Sequence, residues 1–70
     1  MIRKGTAVKW KWGKGYATGT VENTYTESIT KTIKGTEVTR NGSDDDKALF
    51  IKQEDGGSVL KLESEVERND

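Results

Sequence analysis

Apolar and polar side chains alternate with a period of two near the start of the chain, a pattern typical of β-strands that bury one face. Val8, Trp10 and Trp12 predict the apolar face of a first strand, and Lys9 and Lys11 lie on its other face. This strand is the chain's first structural element, and no long helical pattern accompanies it.

A glycine-marked turn at residues 13–15 leads to a second predicted strand. Ala17, Gly19, Val21 and Tyr25 share one of its faces. Gly19 inside a strand predicts either a β-bulge or the close approach of another backbone. The chain's nine threonines lie mostly in such segments, as expected for a half-solvated sheet.

The stretch ESITKTIKGTEVTRNG predicts a hairpin with a two-residue turn at Lys34-Gly35. The register that follows pairs Ile29 with Arg40, Lys31 with Val38, and Ile33 with Thr36. One face then carries the apolar side chains and the other carries mainly threonine, so a single register explains both faces.

A polar loop over residues 41–47 precedes a second predicted hairpin, which turns at Asp55-Gly56. That turn places Ile51 opposite Leu60 and Leu49 opposite Leu62, with all four side chains on one face. Near the C-terminus, Ser64 is expected to cap a short helical turn, with Glu67 completing a capping box. Val66 is expected to pack onto the end of the fold.

Five short strands without a long helix predict an all-β domain. A small sheet hides its edges and its apolar face by curling into a barrel, so we expect one SH3-like barrel over residues 1–70. Only 30% of the residues are hydrophobic and 34% are charged, which leaves a small core. Because the chain has no cysteine and no histidine, disulfides, thiol nucleophiles, imidazole bases and the usual zinc sites are excluded.

The ordered motifs of the chain resemble one family. They include the glycine and tryptophan pattern of residues 4–21, the runs TIKG (32–35) and VTRNGS (38–43), QEDG (53–56), VLK (59–61) and the closing Ser64-Glu65. This string is similar to the hypervirulence-associated Tudor-domain family. The resemblance implies a Tudor-like, SH3-type barrel and a binding role. The pattern departs at Lys47, where a proline is expected before the next strand.

The aromatic and basic residues are the candidate binding surface. Cations hold phosphates and aromatic rings stack on bases, whereas a Tudor aromatic cage holds methylated lysine or arginine. The alternative is that the rings fill the core and the lysines protect a strand edge, and Trp10 is expected to be core. The candidate residues are Trp12, Lys14, Tyr16, Lys9, Lys11, Tyr25 and Arg40.

The net charge is zero but unevenly distributed. Residues 1–40 carry eight basic and three acidic side chains, whereas residues 41–70 carry four and nine. Such asymmetry can mark a face that binds polyanions, or the two halves can neutralise each other in the folded chain. A neutral total disfavours a dedicated nucleic-acid module.

No motif supports catalysis or a resident metal. The carboxylates form no recognisable catalytic pair, and Asp44, Asp45 and Asp46 lack the spacing of a calcium loop. We therefore expect a non-enzymatic, cytoplasmic binding module without a cofactor, as a monomer or weak homodimer that does not insert into membranes. A protein or peptide is the first partner class and nucleic acid the second. Self-association, for example through a hairpin edge at residues 28–40, is the third alternative.

Overall fold

The computed structural model describes residues 2–69, and within this range the chain is all-β, as predicted. Five antiparallel strands form one sheet in the order β6-β5-β2-β1-β7, and β3 and β4 form a separate two-stranded sheet. The strands are β1 (Ala7–Trp12), β2 (Gly15–Tyr25), β3 (Ser28–Ile33), β4 (Thr36–Asn41), β5 (Ala48–Gln53), β6 (Ser58–Leu62) and β7 (Glu67–Arg68). The prediction of five strands was therefore too low. No helix in residues 2–69 has the length and apolar composition needed to cross a bilayer.

The core gathers short apolar side chains around one tryptophan. Trp10 is 3% exposed, so its predicted place in the core is confirmed. The other members of the buried cluster are Ile2, Val8, Val21, Leu49, Ile51 and Val66. Ala17 and Val59 pack against this cluster at its edge. Val66 therefore closes the core as expected.

The β3–β4 hairpin has the predicted register, with Ile29 opposite Arg40, Lys31 opposite Val38 and Ile33 opposite Thr36. Its turn residues Lys34 and Gly35 both have positive φ, 51° and 79°, as a tight two-residue turn between twisted strands requires. The face with the isoleucines is half-buried, and the threonine face is exposed.

The predicted register of the second hairpin is wrong by one residue. Ile51 lies opposite Val59 rather than Leu60, and Ala48, not Leu49, lies opposite Leu62. The Gln53 N–H donates to the Gly57 carbonyl at 2.8 Å, so the loop has three residues instead of two. Gly56 adopts φ +92° within this loop, a conformation that favours glycine.

Gly19 is a site of close backbone approach, and the bulge lies elsewhere. A Cβ atom at Gly19 would be 2.7 Å from both Ile51 Cγ2 and the Lys52 carbonyl oxygen. The β2–β5 register instead shifts between Val21 and Asn23. The second of the two sequence alternatives for Gly19 is therefore correct.

A one-turn 3₁₀ helix, Glu63–Glu65, confirms the predicted helical turn but not its cap. Leu62 precedes the turn, and its N–H donates to the Glu65 carboxylate at 2.8 Å. Ser64, predicted as the cap, lies inside the turn and donates from Oγ to Asp46 at 2.8 Å. The capping carboxylate is thus Glu65 rather than Glu67, because the turn starts two residues earlier than expected.

The loop after β4 is tied to this C-terminal turn by two hydrogen bonds between Lys47 and Glu63. The Lys47 N–H donates to Glu63 Oε1 at 2.9 Å, and the Glu63 N–H donates to the Lys47 carbonyl at 2.9 Å. A proline at position 47 has no N–H and could not donate the first of these bonds. The departure from the family pattern at Lys47 therefore has a structural role.

Candidate functional site

An open groove of about 490 Å³ lies where three turns meet: those between β1 and β2, β3 and β4, and β5 and β6. Its apolar lining consists of Trp12, Ala17, Ile33 and Val59. Ala17 and Val59 also touch the core, so the groove continues the apolar interior to the surface. Its remaining lining is Gly15, Tyr16, Lys34, Gln53, Asp55 and Ser58.

Trp12 and Tyr16 are the exposed large hydrophobic side chains of residues 2–69, with 69% and 63% of their surface accessible. They project to opposite faces of the β1–β2 hairpin, because Trp12 lies opposite Gly15 and Tyr16 lies opposite Lys11. Trp12 continues the core face of β1 beyond Trp10. Tyr16 also borders the groove, next to Gly15 at the start of β2.

Lys9, Lys11 and Tyr16 share the outer face of the hairpin, and Lys9 Nζ lies 5.2 Å from the centre of the Tyr16 ring. Two acidic side chains, Glu65 and Glu67, line the same shallow depression of about 190 Å³. Lys14 lies exposed in the β1–β2 turn. The basic face is therefore flanked by carboxylates, which lower its attraction for a polyanion.

Tyr25 is half-buried and belongs to a separate cluster. Lys31 Nζ lies 5.6 Å from the centre of the Tyr25 ring and 5.2 Å from that of Phe50. The chain's own lysine is thus the cation beside both rings. Trp12 and Tyr16 instead border the groove.

Arg40 is half-buried and forms an ion pair with Glu65, with 2.9 Å between Nε and Oε1. Partial burial raises the pKa of Glu65. Hydrogen bonds from Leu62 N–H and Arg40 lower it, as do the positive charges of Arg40 and Lys61, and these lowering effects together exceed the effect of burial. The pKa of Glu65 is consequently lower than its ordinary value. Arg40 therefore joins β4 to the C-terminal turn.

The seven candidate residues thus do not form one continuous site, and of the seven only Trp12 and Tyr16 border the main groove. The binding role of all seven stays a prediction. Sequence reasoning missed Ile33, Val59 and Asp55 as groove residues, since they lie in segments that are distant along the chain from Trp12. The sequence does contain a signal that Trp12 and Tyr16 point to opposite faces. A two-residue turn at Gly13-Lys14 pairs Trp12 with Gly15, so the next residue, Tyr16, lies on the other face.

Within residues 2–69, no three carboxylates lie close enough together to hold a metal ion. Asp46, from the acidic loop, instead accepts hydrogen bonds from the backbone and hydroxyl of Ser64, at 2.9 and 2.8 Å. The contact of Asp46 with Ser64 therefore holds the acidic loop against the C-terminal turn.

The comparison with family models identifies the chain. The model described as "Hypervirulence associated proteins TUDOR domain" matches residues 5–66. No curated protein and no solved structure gives a significant match. The family match confirms the SH3/Tudor-like class of the fold, which is generally a small, non-catalytic binding domain for proteins or nucleic acids. Because the match covers most of its length, the chain belongs to the hypervirulence-associated Tudor domain family.

Proposed function

We propose that this chain is a non-enzymatic module, with residues 1–70 as one domain, that binds a protein partner by seating a peptide segment in the groove beside Trp12. The observation that carries the proposal is the 69% exposure of Trp12 at the mouth of an apolar groove. A small domain with little apolar material gains nothing for its own stability from an exposed indole. Tryptophan is, in contrast, enriched among residues that dominate binding energy at interfaces.

The groove suits an extended segment of a partner. It is open and bordered by three turns, and its apolar walls include Ile33 and Val59, both half-buried at the edge of the core. Extended peptides bind through a few anchoring side chains and need no deep cavity. We therefore assign recognition to Trp12 with Ile33 and Val59, and a flanking role to Tyr16 and Lys14.

Charge favours a peptide over nucleic acid as the occupant. Asp55 lines the groove, and Glu54 lies beside it in an adjoining depression. These two carboxylates outnumber Lys34, the cation that lines the groove, and they repel phosphates. The basic outer face is flanked by Glu65 and Glu67. Polyanion binding depends on uncompensated cations, so neither face favours nucleic acid.

Selection from a library of displayed random peptides tests the proposal. The immobilised chain should enrich peptides that also bind it in solution, and Trp12→Ala should weaken that binding by about tenfold or more, as for an interface residue worth about 1.4 kcal/mol or more. Glu37→Ala is the matched control, since Glu37 is exposed on β4 and does not line the groove. Enrichment unaffected by Trp12→Ala, or no enrichment, contradicts the proposal.

A titration of the isotope-labelled chain with a mixed-sequence single strand tests the nucleic-acid alternative. The proposal predicts no amide shifts at Lys9, Lys11 and Tyr16 even at low salt. Shifts there that fade as the salt concentration rises would favour nucleic acid instead, because phosphate binding releases counterions.

A further inference from the structure

The groove beside Trp12 has a second, polar compartment at the turn between β5 and β6. A depression of about 280 Å³ is lined by Tyr16, Ala17, Thr18, Gln53, Glu54 and Asp55. Tyr16, Ala17, Gln53 and Asp55 also line the main groove, so the two compartments are continuous. An occupant of the apolar groove can therefore reach this acidic compartment.

The two carboxylates of this compartment are available to a ligand. Glu54 and Asp55 are both exposed, and within residues 2–69 no lysine or arginine forms an ion pair with either. Asp55 Oδ1 accepts a hydrogen bond from the Gly57 N–H at 2.8 Å, which holds the carboxylate in place at the turn. One carboxylate oxygen of Asp55 and both of Glu54 remain for a cation.

The apolar and acidic compartments together define the chemistry of the occupant. We infer that the groove takes a peptide segment in which a bulky apolar residue is flanked by lysine or arginine: the apolar side chain against Trp12, and the cation at Glu54 and Asp55. This inference rests on the proposed function and names the partner's chemistry. Arginine fits best, since its planar guanidinium matches a carboxylate at two points.

Lys34 competes with the ligand's cation for this compartment. It lies in the β3–β4 turn, and its Cε would be 3.8 Å from a Cβ added at Gly57, where Asp55 Oδ1 would be 3.1 Å away. Its ammonium group therefore partly offsets the charge of Asp55, so a basic residue of the ligand is attracted mainly by Glu54.

The test uses the same random-peptide selection with a charge-neutral variant. Peptides enriched by the natural chain should carry lysine or arginine beside a bulky apolar residue. The double variant Glu54→Gln, Asp55→Asn should bind those peptides about three- to tenfold more weakly, as expected for exposed ion pairs. Asparagine at position 55 keeps an oxygen for the Gly57 N–H, so the turn is preserved.

Glu37→Gln is the matched control, because Glu37 is exposed on β4 and lines neither compartment. It should leave the affinity for basic peptides unchanged, whereas Lys34→Gln should raise it. The salt dependence is a second readout: binding to the natural chain should weaken as salt rises, and binding to the double variant should depend less on salt.

The outcomes separate this inference from the proposed function. Peptides that depend on Trp12 but lack basic residues would overturn the inference and leave the proposed function standing. Basic peptides that bind the double variant with unchanged affinity would also overturn it. If no enriched peptide depends on Trp12, both are wrong.

Discussion

At the scale of single residues, Gly19 shows how closely β2 and β5 are packed. An added Cβ would lie 2.7 Å from the Lys52 carbonyl oxygen, and a backbone atom cannot move aside cheaply. Gly19→Ala should lower the free energy of unfolding by about 1–3 kcal/mol. Urea unfolding followed by tryptophan fluorescence measures this change.

Gly15→Ala is the control for that experiment. Gly15 lies in the same strand, has no positive φ, and has nothing within 4 Å of an added Cβ. Its substitution should change the free energy of unfolding by less than about 0.5 kcal/mol. Equal effects at the two glycines would contradict the close approach at Gly19.

Also at this scale, Lys31 joins the β3–β4 hairpin to the larger sheet by lying near two rings, those of Tyr25 and Phe50. Lys31→Gln removes the charge but keeps most of the side chain. It should lower the free energy of unfolding by about 0.5–2 kcal/mol, the range of a cation–π interaction. Thermal unfolding measures the change. Lys31→Arg keeps the charge and should preserve stability. Equal stability of the natural chain, Lys31→Gln and Lys31→Arg would show that the charge contributes nothing.

At the scale of elements, the C-terminal turn is held by carboxylates and is therefore sensitive to pH. The pKa of Glu65 is lowered in the folded chain, so its stabilising contribution is fully present above the ordinary value of 4.5. That contribution is lost as the pH falls through the lowered folded value. At neutral pH, Glu65→Gln should cost about 0.2–1 kcal/mol, as for an exposed ion pair.

The measurement is urea unfolding of both chains across this pH range. The difference between them should shrink as the pH falls below 4.5, while the matched variant Glu37→Gln shows no such convergence. Glu37 is exposed on β4, on the face opposite Arg40. A difference that stays constant with pH would contradict a role for the Glu65 charge.

The two hairpins show what the sequence predicts and why it fails elsewhere. At Lys34-Gly35 the strands alternate cleanly, so only one register buries one face. At residues 53–57 a second glycine follows Asp55-Gly56, which permits a three-residue loop. Ala48, Leu49, Phe50 and Ile51 are also apolar on both faces, so periodicity cannot choose between the two registers.

Sequence periodicity also does not identify the residues that line the groove. Trp12 is a candidate from sequence because an aromatic side chain beside a turn lies near the end of the sheet. Ile33 and Val59 are ordinary strand residues in the sequence. They become groove residues only because the tertiary fold brings the ends of three hairpins together.

At the scale of the whole molecule, the fold brings basic residues from the first half of the chain close to acidic residues from the second half. Lys9 on β1 lies opposite Glu67 on β7, and Arg40 pairs with Glu65. The uneven charge along the sequence is therefore partly compensated at these two places. The exposed carboxylates of Glu54 and Asp55 lie in the acidic compartment beside the groove, where we propose that the ligand's cation binds.

Residues near both ends of the chain close the core. Ile2 and Val66 are each 8% exposed and belong to the buried cluster, and the Asn69 N–H bonds to the Ala7 carbonyl at 2.8 Å. Val66→Ala removes two methyl groups from the cluster, so it should lower the free energy of unfolding by about 1–3 kcal/mol. The neighbouring exposed residue gives the control, Glu67→Ala.

Thermal unfolding of the two variants tests this role, with an expected fall in Tm of about 4–8 °C per kcal/mol for a domain of this size. Peptide binding separates stability from recognition, because Val66 does not line the groove beside Trp12. At a temperature where both chains are folded, Val66→Ala should bind peptide with unchanged affinity. An unchanged Tm would mean that the C-terminal segment does not close the core, and a loss of affinity would mean that the groove depends on that closure.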